Sequence, residues 1–401
     1  MFYPPVPNAM PAAGTRFPDP PLFSHSHPAP TTAYIIPGQD SLLIPKISEI
    51  CKLNRVNTAM ATIGERIKAA RILAGLSQED LGGQMGVTKM AISKYETGGV
   101  IPNSTALIAL SKALDVKIEY FFRSMSVTLS KPSYRCRKAL AQKEETRILG
   151  KTAEWLERYL MVEHLTGTEK PLDLPKPEHC RIKTVSDIEK IAHKIRKEWN
   201  LGSDPIENVM DVLEQHGIKV GVVEAPESFD ALTLWYNDKC PVIVVNKRFP
   251  GDRQRYNLAH ELGHLVLQIE SDLDAEIAAH RFAGAFLVPD DMAVRELGTQ
   301  RNVLDFRELY ILKHKYGMSM AAWIHRAVDL GIVTQAAAKR HWISMRAKGW
   351  HKTEPHRQVP AESPTLMRLL LFRAVSENTI TRSRFAELLG VDLAKAVEPC
   401  A

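Results

Sequence analysis

The chain has 401 residues, of which 45% are hydrophobic and 24% are charged, and its formal net charge is +6. This composition is typical of an ordinary soluble protein of about two to three domains, and the mild positive charge is compatible with nucleic-acid binding without requiring it. No apolar run approaches the roughly 18 to 20 residues of a membrane span, and the five cysteines form no C-x-x-C pair, so we expect a cytoplasmic protein with reduced thiols, no disulfide framework and no membrane partner.

Residues 1–59 are predicted to form a disordered tail. They are dense in proline, lack the periodic apolar positions of helices, and lack the charged-then-apolar pattern of a signal peptide. Met60 opens a segment that would make a natural protein start. We therefore also hold the hypothesis that part of this tail reflects an over-extended reading frame.

Residues 60–124 are predicted to form short amphipathic helices separated by glycines. The first helix covers Ile63–Leu73. The second follows the N-cap residue Ser77 and ends before Gly86, and the third follows the N-cap residue Thr88. Two short helices joined by a glycine turn, the second with a polar outer face, make a helix-turn-helix.

Residues 64–122 resemble the lambda-repressor-like (Cro/CI, or XRE) domain through the strings GLSQEDLGGQMGVTKMAISKYETG and ALDVKIEYFF. The resemblance implies an all-α, five-helix module that binds a double-stranded DNA operator, usually as a homodimer. It also implies that Gln78 contacts a phosphate and that Lys89, Met90 and Lys94 face the bases of the major groove. A lysine there can read guanine, whereas Met90 offers only apolar contact, so the operator sequence is not predicted. The alternative is a protein-interaction module of the same fold.

Residues 125–184 are predicted to form a helical connector. Apolar residues recur at helical spacing from Glu144 to Leu165, which indicates one long amphipathic helix. The proline-containing stretch 172–177 ends this helix, and a further helix is predicted over Val185–Trp199.

Residues 185–300 are predicted to form an α+β domain. A helix over Ile206–His216 precedes three short strands rich in β-branched and aromatic residues. These strands are predicted at Ile218–Val223, Leu232–Tyr236 and Pro241–Asn246. A small sheet is therefore expected to precede the segment that carries the chemistry.

That segment is the pentapeptide HELGH at residues 260–264. Residues four apart share one face of a helix, so His260 and His264 can bind one zinc ion while Glu261 projects toward a water in its open position. Two imidazoles leave a catalytic zinc ion one protein ligand short. Glu276, twelve residues after His264, is the favoured third ligand. His280 shares the helix face of Glu276 and is the alternative, as a ligand or as a contact to a substrate oxygen in the transition state.

This domain resembles the ImmA/IrrE metallopeptidases through the strings VIVVN, DRQRYNLAHELGHLVL and FLVP. The resemblance implies that His260, His264 and Glu276 bind Zn²⁺ and that Glu261 is the general base of amide-bond hydrolysis. His280 stands where the family commonly has asparagine or aspartate, and Asn257 replaces a usual threonine or serine. These departures concern the positioning of substrate more than metal binding.

Residues 301–401 are predicted to be mostly helical, so the whole chain is expected to be mainly α with a small β-sheet. This region resembles the long ImmA/IrrE members that are fused to a helix-turn-helix. We therefore expect a DNA-binding transcriptional regulator whose zinc-dependent endopeptidase domain cleaves a repressor or other regulatory protein. The alternative is a non-enzymatic transcription factor or antitoxin whose metal domain is a sensor or dimerisation scaffold.

Overall fold

The computed structural model describes residues 62–123, 127, 129, 141–270 and 272–391. The predictions for the tail and for the connector before residue 141 lie largely outside these residues. Within them the chain is mainly helical with two small sheets, which confirms the predicted fold class. Among the described residues, no helix combines the length and apolar composition that crossing a membrane requires.

The N-terminal part is a small bundle of helices. Its elements are α1 (Ile63–Leu73), α2 (Gln78–Met85), α3 (Lys89–Glu96), α4 (Ser104–Leu114) and a 3-10 helix (Ile118–Phe122). The fifth predicted helix is therefore a single 3-10 segment.

The helices α2 and α3 begin where the sequence predicts because their N-caps are polar. The Ser77 hydroxyl accepts a hydrogen bond from the Asp80 N–H at 3.0 Å, and the Thr88 hydroxyl accepts one from the Ala91 N–H at 3.2 Å. Gly86 ends α2 in the left-handed conformation with φ of 66°, which favours glycine. Ile67, Leu81, Ile92 and Leu110 from four helices meet in a core from which water is excluded.

Helix α5 (Gln142–Thr166) follows the bundle and confirms the predicted long helix. It packs against α1 closely: a Cβ added at Gly150 would lie 2.9 Å from Leu73 Cδ2. Beside this contact the buried Arg66 guanidinium donates to both carboxylate oxygens of Glu157, at 2.8 and 2.6 Å. The first helix of the bundle is thus joined to α5 by a buried ion pair.

The strands form two sheets. They are β1 (Arg181–Ile182), β2 (Lys219–Val223), β3 (Ala231–Tyr236), β4 (Cys240–Asn246) and β5 (Gln268–Ile269). Strand β4 is central in the larger sheet, with β2 parallel on one side and β3 antiparallel on the other. Strands β1 and β5 pair in parallel as a separate two-stranded ribbon.

Helices surround the larger sheet and continue to the C-terminal part. They are α6 (Val185–Glu198), α7 (Val209–Gln215), α8 (Gly251–Val266), α9 (Ala275–Leu287), α10 (Asp290–Leu297), α11 (Phe306–Tyr316), α12 (Met320–Asp329), α13 (Gln335–Ala347), α14 (Leu366–Ser376) and α15 (Arg382–Leu389). The prediction that α7 starts at Ile206 was wrong. Asn208 caps the helix instead, since its side-chain oxygen accepts from the Asp211 N–H at 3.1 Å.

One hydrophobic core extends across residue 300. Leu262 of α8 and Phe282 of α9 belong to the same buried cluster as Leu309 of α11 and Trp323 of α12. The helices after residue 300 therefore pack in the same core as the helices that carry the HELGH segment and Glu276. The predicted bounds of the domains remain a prediction.

Candidate functional site

Helix α8 places both histidines of the HELGH segment on one face. His260 Nε2 and His264 Nε2 lie 3.0 Å apart, and their rings are perpendicular. The opposite face of α8 carries Leu258 and Leu262, which are fully buried. The helix is thus fixed against the core by one side and presents two imidazole nitrogens on the other.

Helix α9 brings a carboxylate to these two nitrogens. Glu276 Oε2 lies 3.4 Å from His260 Nε2, and Glu276 Oε1 lies 3.3 Å from His264 Nε2. Glu276 occupies the first turn of α9 because Asp274 caps this helix, accepting from the N–H groups of Glu276 and Ile277 at 2.8 and 3.0 Å. Asp274 therefore acts on the backbone and positions Glu276.

The spacing of the donor atoms fits a metal ion. Around a tetrahedral zinc ion with ligands at about 2.0–2.1 Å, two ligand atoms lie about 3.3 Å apart. The two histidine nitrogens lie 3.0 Å apart, and each has one of the two Glu276 oxygens at 3.4 or 3.3 Å, so each of these pairs is spaced as two ligands of one ion would be. His260, His264 and Glu276 could therefore hold one ion and leave a fourth position open.

Gly263 allows α8 and α9 to come this close. A Cβ added at Gly263 would lie 3.1 Å from Phe282 Cδ1 and 3.2 Å from Ala279 Cα. A side chain there would require one of these neighbours to shift by a few tenths of an ångström. The glycine of HELGH is thus favoured by close helix packing and not by a left-handed backbone conformation.

The carboxylate of Glu261 is held by a residue that the sequence reasoning missed. Thr233 of β3 donates from Oγ1 to Glu261 Oε2 at 2.6 Å. Thr233 is buried among apolar neighbours in the strand ALTLWY. One polar residue inside an otherwise apolar buried strand was the signal that could have found it.

His280 lies next to the three donors but outside their group. Its ring centroid is 4.3 Å from that of His260, and its ring stacks on Tyr256 at 5.8 Å. The Tyr256 hydroxyl donates to the backbone oxygen of His280 at 3.0 Å, so this turn of α9 is tied to α8. The structure thus groups Glu276, and not His280, with the two histidines of α8.

A second set of metal-type donors lies on the surface. His193, Asp290 and Asp291 are close enough to meet one ion, and His193 Nε2 lies 2.5 Å from Asp290 Oδ1. Two of these residues are exposed, and exposed acidic groups commonly cluster without a metal.

The outer face of α3 carries the residues that sequence reasoning assigned to DNA bases. Lys89, Met90 and Lys94 are exposed, and the Met90 side chain is 68% exposed. Ile92, on the inner face, is fully buried. An exposed methionine between two lysines leaves a basic surface with an apolar centre.

Gln78 lies at the start of α2 and is engaged within the protein. Its Nε2 donates to Glu96 Oε2 at 2.8 Å, and Arg71 Nε donates to Glu96 Oε1 at 2.5 Å. The buried Glu96 carboxylate thus joins α1, α2 and α3. This network fixes the position of the Gln78 side chain. Its contact with a phosphate remains a prediction.

Two family models match the chain. Residues 67–121 match the family described as "Helix-turn-helix", and residues 213–328 match the family described as "IrrE N-terminal-like domain". Both resemblances found in the sequence are thereby confirmed. The second match contains the HELGH segment, Thr233 and Glu276.

The curated relatives match the N-terminal part. An "Uncharacterized HTH-type transcriptional regulator" of Sinorhizobium medicae (strain WSM419) is 38% identical over 60 residues, 15% of this chain and 43% of the relative. "Repressor protein C2" of Salmonella phage P22 is 41% identical over 61 residues, 15% of this chain and 28% of the relative. The chain thus spans less than half the length of each of these relatives.

Solved structures include the P22 c2 repressor protein in complex with synthetic operator 9T. This repressor is 41% identical, and the match covers 15% of this chain and 92% of the repressor chain, with a TM-score of 0.15.

Proposed function

We propose that this chain, a helix-turn-helix domain joined to an IrrE N-terminal-like domain, is a DNA-binding transcriptional regulator with a zinc-dependent endopeptidase site. The observation that carries the enzymatic part is that donor atoms of His260, His264 and Glu276 lie close enough to hold one metal ion, beside the helix turn that carries Glu261. A purely structural zinc site has four protein ligands, whereas three ligands and a neighbouring carboxylate suit hydrolysis. The proposed substrate is a repressor or another regulatory protein.

Each side chain has a role in this proposal. A zinc ion held by His260, His264 and Glu276 supplies Lewis acidity at the scissile carbonyl and lowers the pKa of a water molecule. Glu261 takes the proton from the attacking water and passes it to the leaving amine. Thr233 holds the Glu261 carboxylate in one orientation by its hydrogen bond of 2.6 Å.

DNA binding is supported by the exposed face of α3 and by the relatives. Lys89 and Lys94 are exposed there, and the matched relatives are named as transcriptional regulators or as a repressor. The P22 relative was solved with a synthetic operator. We propose that Lys89, Met90 and Lys94 contact bases, that Gln78 contacts a phosphate, and that two copies of the chain bind the two halves of an operator.

The endopeptidase proposal is tested by comparing protein N-termini across the proteome in cells that carry the wild type or Glu261→Gln. We expect a set of N-termini that the wild type produces and the variant does not, while purified Glu261→Gln still binds about one equivalent of zinc per chain. Glu198→Gln is the matched control, since Glu198 lies on the surface of α6.

The same experiment separates the enzyme from its alternative. If Glu261→Gln binds zinc and changes neither the N-termini nor the regulated genes, proteolysis is not the function. The metal domain is then a sensor or dimerisation scaffold of a non-enzymatic regulator. If the wild-type protein binds no zinc, both forms of the metal proposal fail.

Operator recognition is tested with duplexes selected from a random DNA library. We expect Lys94→Ala to weaken binding to the selected operator by about 1–3 kcal/mol if it reads a base. Lys190→Ala is the control, because Lys190 is an exposed lysine on α6, outside the matched helix-turn-helix. Equal binding of selected and random duplexes would argue against operator recognition.

A further inference from the structure

A cavity of about 280 Å³ lies where three parts of the chain meet. The 3-10 helix that ends the DNA-reading domain contributes Phe122, followed by Arg123, and α5 contributes Arg158 and Met161. The C-terminal helix α15 contributes Arg384 and Leu388. The cavity is remote in sequence from the HELGH segment and shares no residue with the metal site.

The carboxylates around this cavity are largely committed to other partners. Glu157 forms the buried ion pair with Arg66, whose Nη1 lies 2.6 Å from Glu157 Oε2. Glu387 bridges two lining arginines, 3.3 Å from Arg123 Nη2 and 2.6 Å from Arg384 Nη1. The remaining carboxylate of the lining, that of Glu119, belongs to an exposed residue.

Arg158 is the lining arginine that none of these carboxylates pairs with. Within the part of the chain that the structure describes, its buried Nε has no hydrogen-bond partner and its guanidinium forms no salt bridge. Nη1 of Arg123 is also buried without a hydrogen-bond partner among the described residues. Burial lowers the pKa of Arg158, against the opposing charges of Glu154, Glu157 and Glu387. A partly buried guanidinium without a hydrogen-bonded anion is costly, and an anionic ligand would relieve that cost.

Arg158 lies against the end of α15. A Cβ added at Gly390 would lie 1.7 Å from Arg158 Nη1, so the guanidinium lies close to the backbone of this residue. Gly390 ends α15 in the left-handed conformation with φ of 76°. The donor therefore lies at the junction of α5 and the C-terminal helix.

The rest of the lining is apolar. Phe122 is 58% exposed although it is a large hydrophobic side chain, and Met161 and Leu388 also face the cavity. An apolar surface beside a guanidinium suits a molecule with an anionic end and an apolar body.

We propose that this cavity binds a small organic anion, a carboxylate or phosphate ester that carries an apolar group. The anionic group pairs with Arg158 and the free donor of Arg123, and the apolar group packs on Phe122, Met161 and Leu388. Because the lining joins the DNA-reading domain to α5 and α15, a bound ligand stabilises the packing of these three parts. This site depends neither on zinc nor on DNA binding.

The test is calorimetric titration of the full chain with three probes of similar shape. Benzoate and phenyl phosphate are the two anionic probes, and benzamide is the neutral probe. We expect saturable binding of at least one anion at one site per chain, a higher melting temperature in its presence, and no binding of benzamide. The stronger of the two anions identifies the head group.

Variants assign the binding to this cavity. We expect Arg158→Gln to weaken the binding by at least about tenfold, because a charge-assisted hydrogen bond is lost. Arg373→Gln is the matched control, since Arg373 is an exposed arginine of α14 that pairs with Glu377 outside the cavity. Arg123→Gln, which removes the second donor of the proposed site, provides the same test if Arg158→Gln does not fold.

Two results would overturn the proposal. One is the absence of saturable binding by either anion at millimolar concentration, or equal binding of benzamide. The other is an unchanged affinity in folded Arg158→Gln, or in Arg123→Gln where that variant replaces it.

Discussion

Thr233 of strand β3 donates a hydrogen bond of 2.6 Å to Oε2 of Glu261 on helix α8. The two residues come from different layers of the fold, and β3 is an outer strand of its sheet. The orientation of the Glu261 carboxylate thus depends on how the sheet packs against α8, and not on α8 alone.

Replacing Thr233 tests this relationship. Thr233→Val keeps the shape of the side chain and removes the donor, so we expect kcat/KM for peptide cleavage to fall by about tenfold, the value of one hydrogen bond of ordinary strength. Thr233→Ser retains the hydroxyl and should keep most of the activity. Bound zinc, measured by mass spectrometry, should stay the same in both variants. An unchanged rate in Thr233→Val would exclude a positioning role.

Removing one donor from α8 should remove the metal. His264→Ala leaves two protein ligands, and we expect its zinc content to fall well below that of the wild type after dialysis, since catalytic sites retain three. His193→Ala, in the exposed set of donors, is the matched control and should retain zinc. Elemental analysis of the purified proteins measures both. Loss of zinc only in His193→Ala would place the ion at the surface.

The buried Lys313 should matter for stability. Its Nζ lies 2.8 Å from Glu354 Oε2 and 3.1 Å from Asp252 Oδ2. Burial opposes the charge of Lys313, but the hydrogen bond to Glu354 and the charge of Asp252 hold its pKa above the ordinary value. Lys313→Met leaves two carboxylates without this cation, so we expect a loss of about 3–5 kcal/mol in the free energy of unfolding.

Lys315 provides the control for this substitution. It lies on the same helix and pairs with Glu296 at 2.7 Å, but its side chain is 45% exposed. Lys315→Met should cost about 0–1 kcal/mol. Urea denaturation of the wild type, Lys313→Met and Lys315→Met measures the free energies of unfolding. Equal losses in the two variants would contradict a stabilising role of the buried Lys313.

Glu214 should make stability depend on pH. Burial raises the pKa of Glu214 to about 8, against the hydrogen bond from the Leu366 N–H, which lowers it. Between the unfolded pKa of about 4.3 and the folded value, the unfolded state releases a proton that the folded state keeps. The Glu214 contribution is therefore fully present below about pH 4.3 and is lost as pH rises toward 8.

Glu214→Gln should remove this contribution to the pH dependence. We expect the free energy of unfolding of the variant to decline less between pH 5 and pH 8 than that of the wild type, by a slope difference on the order of 1 kcal/mol per pH unit. Glu227→Gln, at an exposed position, should follow the wild type. Urea denaturation at several pH values measures the slopes. Parallel curves for the wild type and Glu214→Gln would sink the prediction.

Local chemistry made much of the fold predictable. The starts of α2 and α3 were predictable from Ser77 and Thr88 because an N-cap hydrogen bond joins residues only three apart. The end of α2 was predictable from Gly86 because a left-handed C-terminal residue favours glycine. The spacing of His260 and His264 places them together for the same reason, since helix geometry alone decides it.

Long-range contacts were not predictable in this way. Thr233 and Glu261 are 28 residues apart, and Asp252, Lys313 and Glu354 meet only because three separate segments pack together. Sequence spacing carries no information on such distances. Helical spacing leaves both Glu276 and His280 as candidate ligands, and only the packing of α9 against α8 brings the Glu276 carboxylate to the Nε2 atoms of both histidines.

The buried ion pair of Arg66 and Glu157 has a consequence for any cleavage of the chain between the N-terminal helical domain and α5. A cut in the segment 124–140 would break the covalent link, yet α1 would stay clamped on α5 by this ion pair and by the contact of Leu73 with Gly150. The nicked protein would migrate as two fragments under denaturing conditions and as one particle in native solution. Cleavage of the backbone would thus not be enough to release the N-terminal helical domain. Its release would require a second event that separates α1 from α5.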